Sequence, residues 1–220
     1  MFQGFSEKTP DFFWQLRFNN ERAWFQAHRT EFDTDVQQPL RALSDELFDF
    51  FQENWPALHM NVHASRIYRD ARRLFGRGPF KDHLWISFQE GEQWNNVPCF
   101  YFEVGAETWG YGMGCWTGEA GLGRRFRRAV DRDPRTLERL LHGLQAHPEL
   151  RIVGERYAKS RGHAGEAIEA WYNMKNWSIC CDMPYDACAY THDLADAVKA
   201  GFRFLMPYYQ YLMKYYLSAE

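Results

Sequence analysis

The run R-I-Y-R-D-A-R-R-L-F-G-R-G-P-F-K-D-H, from Arg66 to His83, packs five arginines, one lysine and two aspartates into one short segment of a chain with a formal net charge of -3. A guanidinium is a planar fork that grips a carboxylate or phosphate at two points. An aspartate set among such forks either holds one in place or acts as a base. Read as a strand, the segment puts Arg66, Tyr68, Asp70 and Arg72 on one face, and Ile67, Arg69, Ala71 and Arg73 on the other. Neither face is an ordinary core face, because both carry arginine. Asp70 is therefore the candidate catalytic carboxylate, and Arg66, Arg69 and Arg72 are candidate ligand-binding groups. The turn G-R-G-P-F-K-D-H adds Lys81, a compact cation, and His83, a titratable ring, by folding back toward the strand.

A second group lies upstream in N-N-E-R-A-W-F. Beside arginines, the amide of Asn19 and the guanidinium of Arg22 suit an oxyanion, and the face of Trp24 suits a base or sugar ring, so these three join the candidate site. Asn20 is grouped with them against the 66–81 segment, but the preferred reading for it is the N-cap of the helix that follows. Weaker constellations carry less. H-M-N-V-H at 59–63 has histidines four apart but lacks the glutamate of a helical zinc motif and reads as a loop. Cys181, Cys188 and His192 lack the paired spacing of a zinc site, so no metal is assigned. The G-Y-G-M-G run falls in a strand, the wrong setting for a phosphate loop, and its bare glycine face reads as a close-packing surface. Asp70, Asp82, Glu103 and Asp182 offer carboxylates that a fold could pair, so hydrolysis of a phosphate ester is permitted.

The elements that must position these groups follow from spacing and caps. Thr9-Pro10 reads as a cap and first turn for a helix over 11–18, and a second short helix follows Asn20. Val36, Leu40, Leu43, Leu47 and Phe50 or Phe51 form the core stripe of a longer helix. Past Pro56 the period becomes two, with strands expected at 66–70, 84–88, 99–104 and 109–116. Thr117 reads as the cap of a helix to about Asp131, whose R-R-F-R-R face is solvated. A helix capped by Asp133 follows and stops at Gly143. Strand pieces at 150–153 and 177–183 precede a last helix from about Thr191, kinked or broken near Pro207. Helices, sheet, helices, sheet pieces and helix make an α+β fold, mainly an antiparallel sheet packed against N-terminal, middle and C-terminal helices.

Length and composition bound the reading. The chain of 220 residues has no long linker-like stretch, so 1–220 reads as one domain with a core dense in rings. The acidic balance argues against nucleic acid as a main partner. Nothing approaches the ~20 apolar residues of a membrane span, nor does the start read as a secretory signal, which points to the cytoplasm. Five cysteines form an odd set that argues against a disulfide scaffold.

The pieces N-N-E-R-A-W-F-Q-A-H-R at 19–29, P-L at 39–40, R-I-Y-R-D-A-R-R-L-F at 66–75, P-F-K at 79–81 and G-Y-G-M-G-C-W at 110–116 together resemble the bacterial domain-of-unknown-function family twenty-four sixty-one. The chain departs from that pattern in having Arg73-Leu74 between Arg72 and Phe75, and Asp82-His83 after the lysine. The resemblance implies a single α+β domain; it brings no cofactor and no catalytic residue with it. From the residues themselves the expected activity is binding, with or without hydrolysis, of an anionic small molecule such as a nucleotide or phosphate ester. The alternative is a non-catalytic protein-interaction domain whose Arg/Asp cluster is a structural ion-pair network and whose aromatics around 208–216 meet a partner.

Overall fold

The computed structural model describes residues 1–70, 72, 74, 76–91, 97–115 and 122–216. Ala71, Arg73 and Phe75 of the charged segment, and the expected helix cap Thr117, lie outside the described residues. The described order is α1 (Lys8–Phe18), α2 (Arg22–Ala27), α3 (Arg29–Glu31), a π-helical stretch (Phe32–Gln37), α4 (Gln38–Asn54), β1 (Met60–Ala64), β2 (His83–Glu90), β3 (Cys99–Gly105), β4 (Thr108–Cys115), α5 (Leu122–Arg132), α6 (Pro134–Leu144), β5 (Arg151–Val153), α7 (Glu166–Tyr172), β6 (Trp177–Pro184), a 3-10 turn (Ala187–Tyr190) and α8 (Asp193–Tyr216). The six strands form one antiparallel sheet in the order β1-β2-β3-β4-β6-β5, so the fold is α+β as expected. No helix among the described residues is long and apolar enough to cross a membrane.

Two compact units divide the chain. The first holds Met1–Phe88, Tyr101–Tyr111 and Asp182–Ala200, and the second Gln89–Phe100, Gly112–Cys181 and Gly201–Glu220. In the first, the stripe Val36, Leu40, Leu43, Leu47, Phe50 and Phe51 is buried as its spacing predicts. Rings dominate its core: Phe51 meets Phe88 of β2 at 5.2 Å, and Phe5 stacks on Phe102 of β3 at 6.0 Å. In the second, Trp171 of α7 stacks on Trp177 of β6 at 4.9 Å, with Phe126 of α5 edge-on to Trp171. Buried phenols there still find partners, as phenol tips require: Tyr209 donates to Glu90 at 3.0 Å, and Tyr211 to the carbonyls of Ala129 and Asp133.

Several local expectations are corrected. Helix α1 begins before Thr9, whose buried hydroxyl donates to the Asp35 carbonyl at 2.6 Å and so ties α1 to the π-helical stretch rather than capping its own helix. Residues 60–64 are a strand, not a loop. β1 ends the sheet order and buries only Met60, so its alternation is faint. Pro207 does not break α8. Both Pro207 and Arg203, four residues before it, face solvent, so the carbonyl that loses its helical donor can be hydrated. Of the aromatics around 208–216 expected to meet a partner, Tyr208, Tyr209 and Tyr211 are buried. Two arginines of the α5 basic face are half-buried; Arg127 lies over the rings of Tyr157 and Tyr172. Asp133 caps α6 as expected, accepting from the Thr136 N–H at 3.2 Å.

The bare face of β4 is filled by neighbouring backbone at Gly114, where a Cβ would stand 2.5 Å from the Trp177 carbonyl oxygen. Close strand packing explains that glycine. The zinc trio finds no centre, since no three ligand-type side chains among the described residues could hold a metal, and His192 is committed elsewhere.

That commitment is to Glu46 of α4. Its Oε1 receives His192 Nε2 at 2.7 Å and Lys199 Nζ at 2.6 Å, and its Oε2 accepts the Phe2 N–H at 3.0 Å. Burial alone would raise the Glu46 carboxyl, but Lys199, the Phe2 amide and His192 outweigh it and hold the pKa at about 2. Since the folded value lies below the ordinary one, this stabilisation is complete above about pH 4.5 and drains away as pH falls toward about 2. Glu46→Gln is therefore expected to lower unfolding free energy by about 2 kcal/mol at neutral pH and to flatten its fall between pH 5 and 2. Urea melts across that range read both effects, and unchanged curves would refute the assignment.

Candidate functional site

The charged segment is built as a paired loop rather than a long strand. Arg69 N–H donates to the Pro79 carbonyl and Lys81 N–H to the Ile67 carbonyl, each at 2.8 Å, with Tyr68 bridged antiparallel to Phe80. The expected strand at 66–70 is thus reduced to one bridge. The two-residue period still sorts the side chains: Arg66, Tyr68 and Asp70 are exposed, Ile67 is buried and Arg69 half-buried.

Asn20 holds the loop from outside. Its Nδ2 donates to the Phe80 carbonyl at 3.0 Å and its Oδ1 accepts the Phe80 N–H at 2.9 Å, so one side chain completes both polar groups of a buried residue. Glu21, not Asn20, is the N-cap residue of α2. The Phe80 ring is 1% exposed and stacks on Phe25 at 4.3 Å. Gly78 makes room for the grip, since a Cβ there would lie 2.3 Å from Asn20 Cγ and Oδ1.

The upstream candidates divide accordingly. Asn19 donates to the Gln15 carbonyl at the end of α1, and Arg22 is exposed on α2. Trp24 stacks on His28 at 4.0 Å and tilts against Phe12. The groups that reach the 66–81 segment are their neighbours, Asn20 and Phe25. Sequence reasoning set Asn20 against this segment but preferred a cap role for it, and it missed Phe25, although the W-F pair pointed within one residue.

The arginines are sorted by their partners. Arg69 donates from Nε to the Phe80 carbonyl at 2.7 Å, and its Nη2 lies 3.5 Å from Asp82. Asp82 also takes Arg17 Nε at 2.7 Å and faces His83 Nδ1 at 3.3 Å. Burial would raise the Asp82 carboxyl, but Arg17, the backbone and His83 keep it below the usual range. Asp82, not Asp70, is therefore the central carboxylate of the cluster. Asp70 pairs with Arg72 at 2.8 Å, but that arginine's side chain is 88% exposed, and solvent weakens such a pair.

Arg66 has a different setting. With Arg41 of α4 and Arg29 of α3 it lines a cavity of about 380 Å³ between the helical wall and residues 64–68, together with Ser44, Asp45 and Tyr68. Arg29 is neutralised by Asp33, 3.0 Å from its Nε. Among the described residues neither Arg41 nor Arg66 has a carboxylate within 4 Å. A larger hollow of about 780 Å³ beside α6 is mainly apolar and includes none of the sequence-predicted site residues.

On the other side of β2, Lys81 lies 5.9 Å above the Trp85 ring, and His63 packs on that ring at 5.2 Å. Burial, then Arg69, push the Lys81 ammonium below the ordinary lysine range, while Glu103 opposes the shift. Burial is also the main cause lowering His63, with Lys81 and Arg66 adding to it. Glu103 reaches solvent yet is crowded by protein. That crowding raises its carboxyl, with Asp182 and Asp82 adding to the rise and His83 and Lys81 working against it.

Two stability outcomes follow from this geometry. Gly78→Ala should cost about 2 kcal/mol or more through overpacking in the wild-type background, and much less beside Asn20→Ala, which removes the obstructing amide. Additive costs in a double-mutant cycle would contradict the clamp. Asp82→Asn should cost about 2 kcal/mol by stranding partly buried guanidinium groups, whereas Asp70→Asn should stay within ~0.5 kcal/mol; chemical denaturation orders the two.

No curated protein matches the chain. The family model described as "Conserved hypothetical protein (DUF2461)" matches residues 8–211, a span that takes in Asn20, Gly78, Phe80 and the whole charged segment. The chain belongs to that family.

Proposed function

We propose that the protein binds an anionic small molecule, a phosphate ester or nucleotide, in the cleft bordered by Arg41 and Arg66. The observation that carries this reading is the pair of arginines without a carboxylate within 4 Å among the described residues, lining one cavity of about 380 Å³. A phosphate accepts two-pronged bonds from guanidinium, and Ser44 and Tyr68, both hydroxyl-bearing residues, line the same cavity. Tyr68 is 47% exposed, so its ring is available to a planar group on the ligand. The helical wall includes Phe32 and Gln37, the two ends of the π-helical stretch, a form of backbone that recurs at functional sites. Of the original candidates, Arg66 belongs to this cleft, Arg69 serves the Asp82 network, and Asp70 holds Arg72.

Inorganic phosphate and adenosine monophosphate are the probes. A ligand present at a hundred times its Kd stabilises by about 2.7 kcal/mol, roughly 5–10 °C in Tm for a chain of this size. The Arg41→Ala/Arg66→Ala double variant should lose that rise, and Arg72→Ala should keep it. If neither probe moves the wild-type Tm, or if the double variant responds like wild type, the cleft is not an anion site and the interaction-domain reading gains.

A further inference from the structure

The face of the sheet opposite the cleft carries a second set of side chains. Leu84, Ile86 and Phe88 of β2 are buried on one face, the first two as cleft wall, which leaves His83 and Trp85 on the other. A Cβ on Gly105 would stand 3.1 Å from His83 Cβ, so Gly105, and with it Glu103 two residues earlier on β3, shares the face of His83 and Trp85. Lys81 lies over Trp85 on this same face.

Lys81 differs from the other lysine that is half-buried. Lys199 has Glu46 at 2.6 Å and Asp196 at 3.7 Å. Lys81 has no carboxylate within 4 Å among the described residues, and Arg69, which disfavours a second cation nearby, is fixed by the Phe80 carbonyl and Asp82. Its backbone is fixed as well, by the bond to Ile67 and by the clamped residue before it. Burial and Arg69 lower the Lys81 ammonium, and the crowding around Glu103, on the same sheet face, raises its carboxyl. A half-buried amine without a carboxylate partner, lying over Trp85 on the sheet face that also carries Glu103, has the parts needed for imine chemistry.

We propose that Lys81 is a nucleophilic amine that condenses with a small aldehyde or ketone on this sheet face, with Glu103 as the proton carrier. The amine lone pair adds to the carbonyl carbon, the C–O π pair moves to oxygen, and the net shift of one proton from nitrogen to oxygen gives a carbinolamine. Glu103 protonates that hydroxyl, which departs as water while the nitrogen lone pair forms the C=N bond. The remaining N–H proton returns to the Glu103 carboxylate, so the carboxyl is regenerated and one water is released.

The full chain, mixed with glyoxylate near neutral pH and reduced with borohydride, should carry its first carboxymethyl group on Lys81, as peptide mass spectrometry reads. Burial and Arg69 lower the Lys81 ammonium, which raises its share of free amine, so Lys81 should label several-fold faster than exposed Lys8 or Lys159. In Glu103→Gln, Lys81 should label roughly a hundredfold more slowly while Lys8 is unchanged. Wild-type labelling of Lys81 no faster than Lys8 overturns the proposal, and so does an unchanged Lys81 rate in Glu103→Gln. The result is independent of the anion cleft, which lies on the other face.

Discussion

The grip of one asparagine on one peptide unit is the constraint on which the rest of the site depends. A buried N–H and C=O left without partners would each cost more than an ordinary hydrogen bond contributes, and Asn20 satisfies both on Phe80 with a side chain drawn from a different part of the chain. The arrangement needs an adjacent residue without a Cβ, supplied by Gly78, and a ring to anchor the residue being held, supplied by Phe80 against Phe25. Once that peptide is fixed, the neighbouring limb is fixed too. Arg69 shares the Phe80 carbonyl, and Lys81 follows immediately in the chain.

Charge in the segment is then divided by environment rather than by sequence distance. Arg69 and Arg17 converge on Asp82, whose side chain is 21% exposed, and there the attraction acts through a medium less polar than water. Arg72 meets Asp70 at a shorter distance than Arg69 meets Asp82, yet in near-full solvent, where a pair contributes little. Separation alone would rank the two pairs the wrong way round. An internal network and a candidate ligand site therefore coexist within one segment, with different arginines in each.

Much of this was legible in the sequence, for physical reasons that can be named. Two-residue alternation separated Ile67 and Arg69 from Arg66, Tyr68 and Asp70 because side chains of an extended chain alternate whether or not a long ladder forms. The α4 stripe was legible because burial of a helix face leaves a 3.6-residue trace. What remained hidden depended on tertiary approach. Nothing local distinguishes Asn20 from Asn19, or Phe25 from Trp24, until the 78–80 turn arrives against one of each pair. β1 was obscured because a strand that buries only Met60 writes almost no alternation, and Pro207 misled because a proline on a solvent-facing helical surface loses a hydrogen bond that water can replace. Asp70 drew attention as the acid nearest the arginines in sequence, whereas Asp82 wins because it is the one that burial and Arg17 select.

The same alternation explains how one short segment serves two faces of the sheet. Arg66 and Tyr68 border the cleft, whose wall includes Leu84 and Ile86, while Lys81, on the returning limb, lies over Trp85, which projects from β2 in the opposite direction. Because the limbs are bonded to each other at Ile67 and Arg69, neither cation can shift far without disturbing its neighbour across the pairing. Only the clamp is common to both faces. The N-N, W-F and P-F-K pieces thus build one scaffold, through Asn20, Phe25 and Phe80, and that scaffold sets where Arg66 and Lys81 stand.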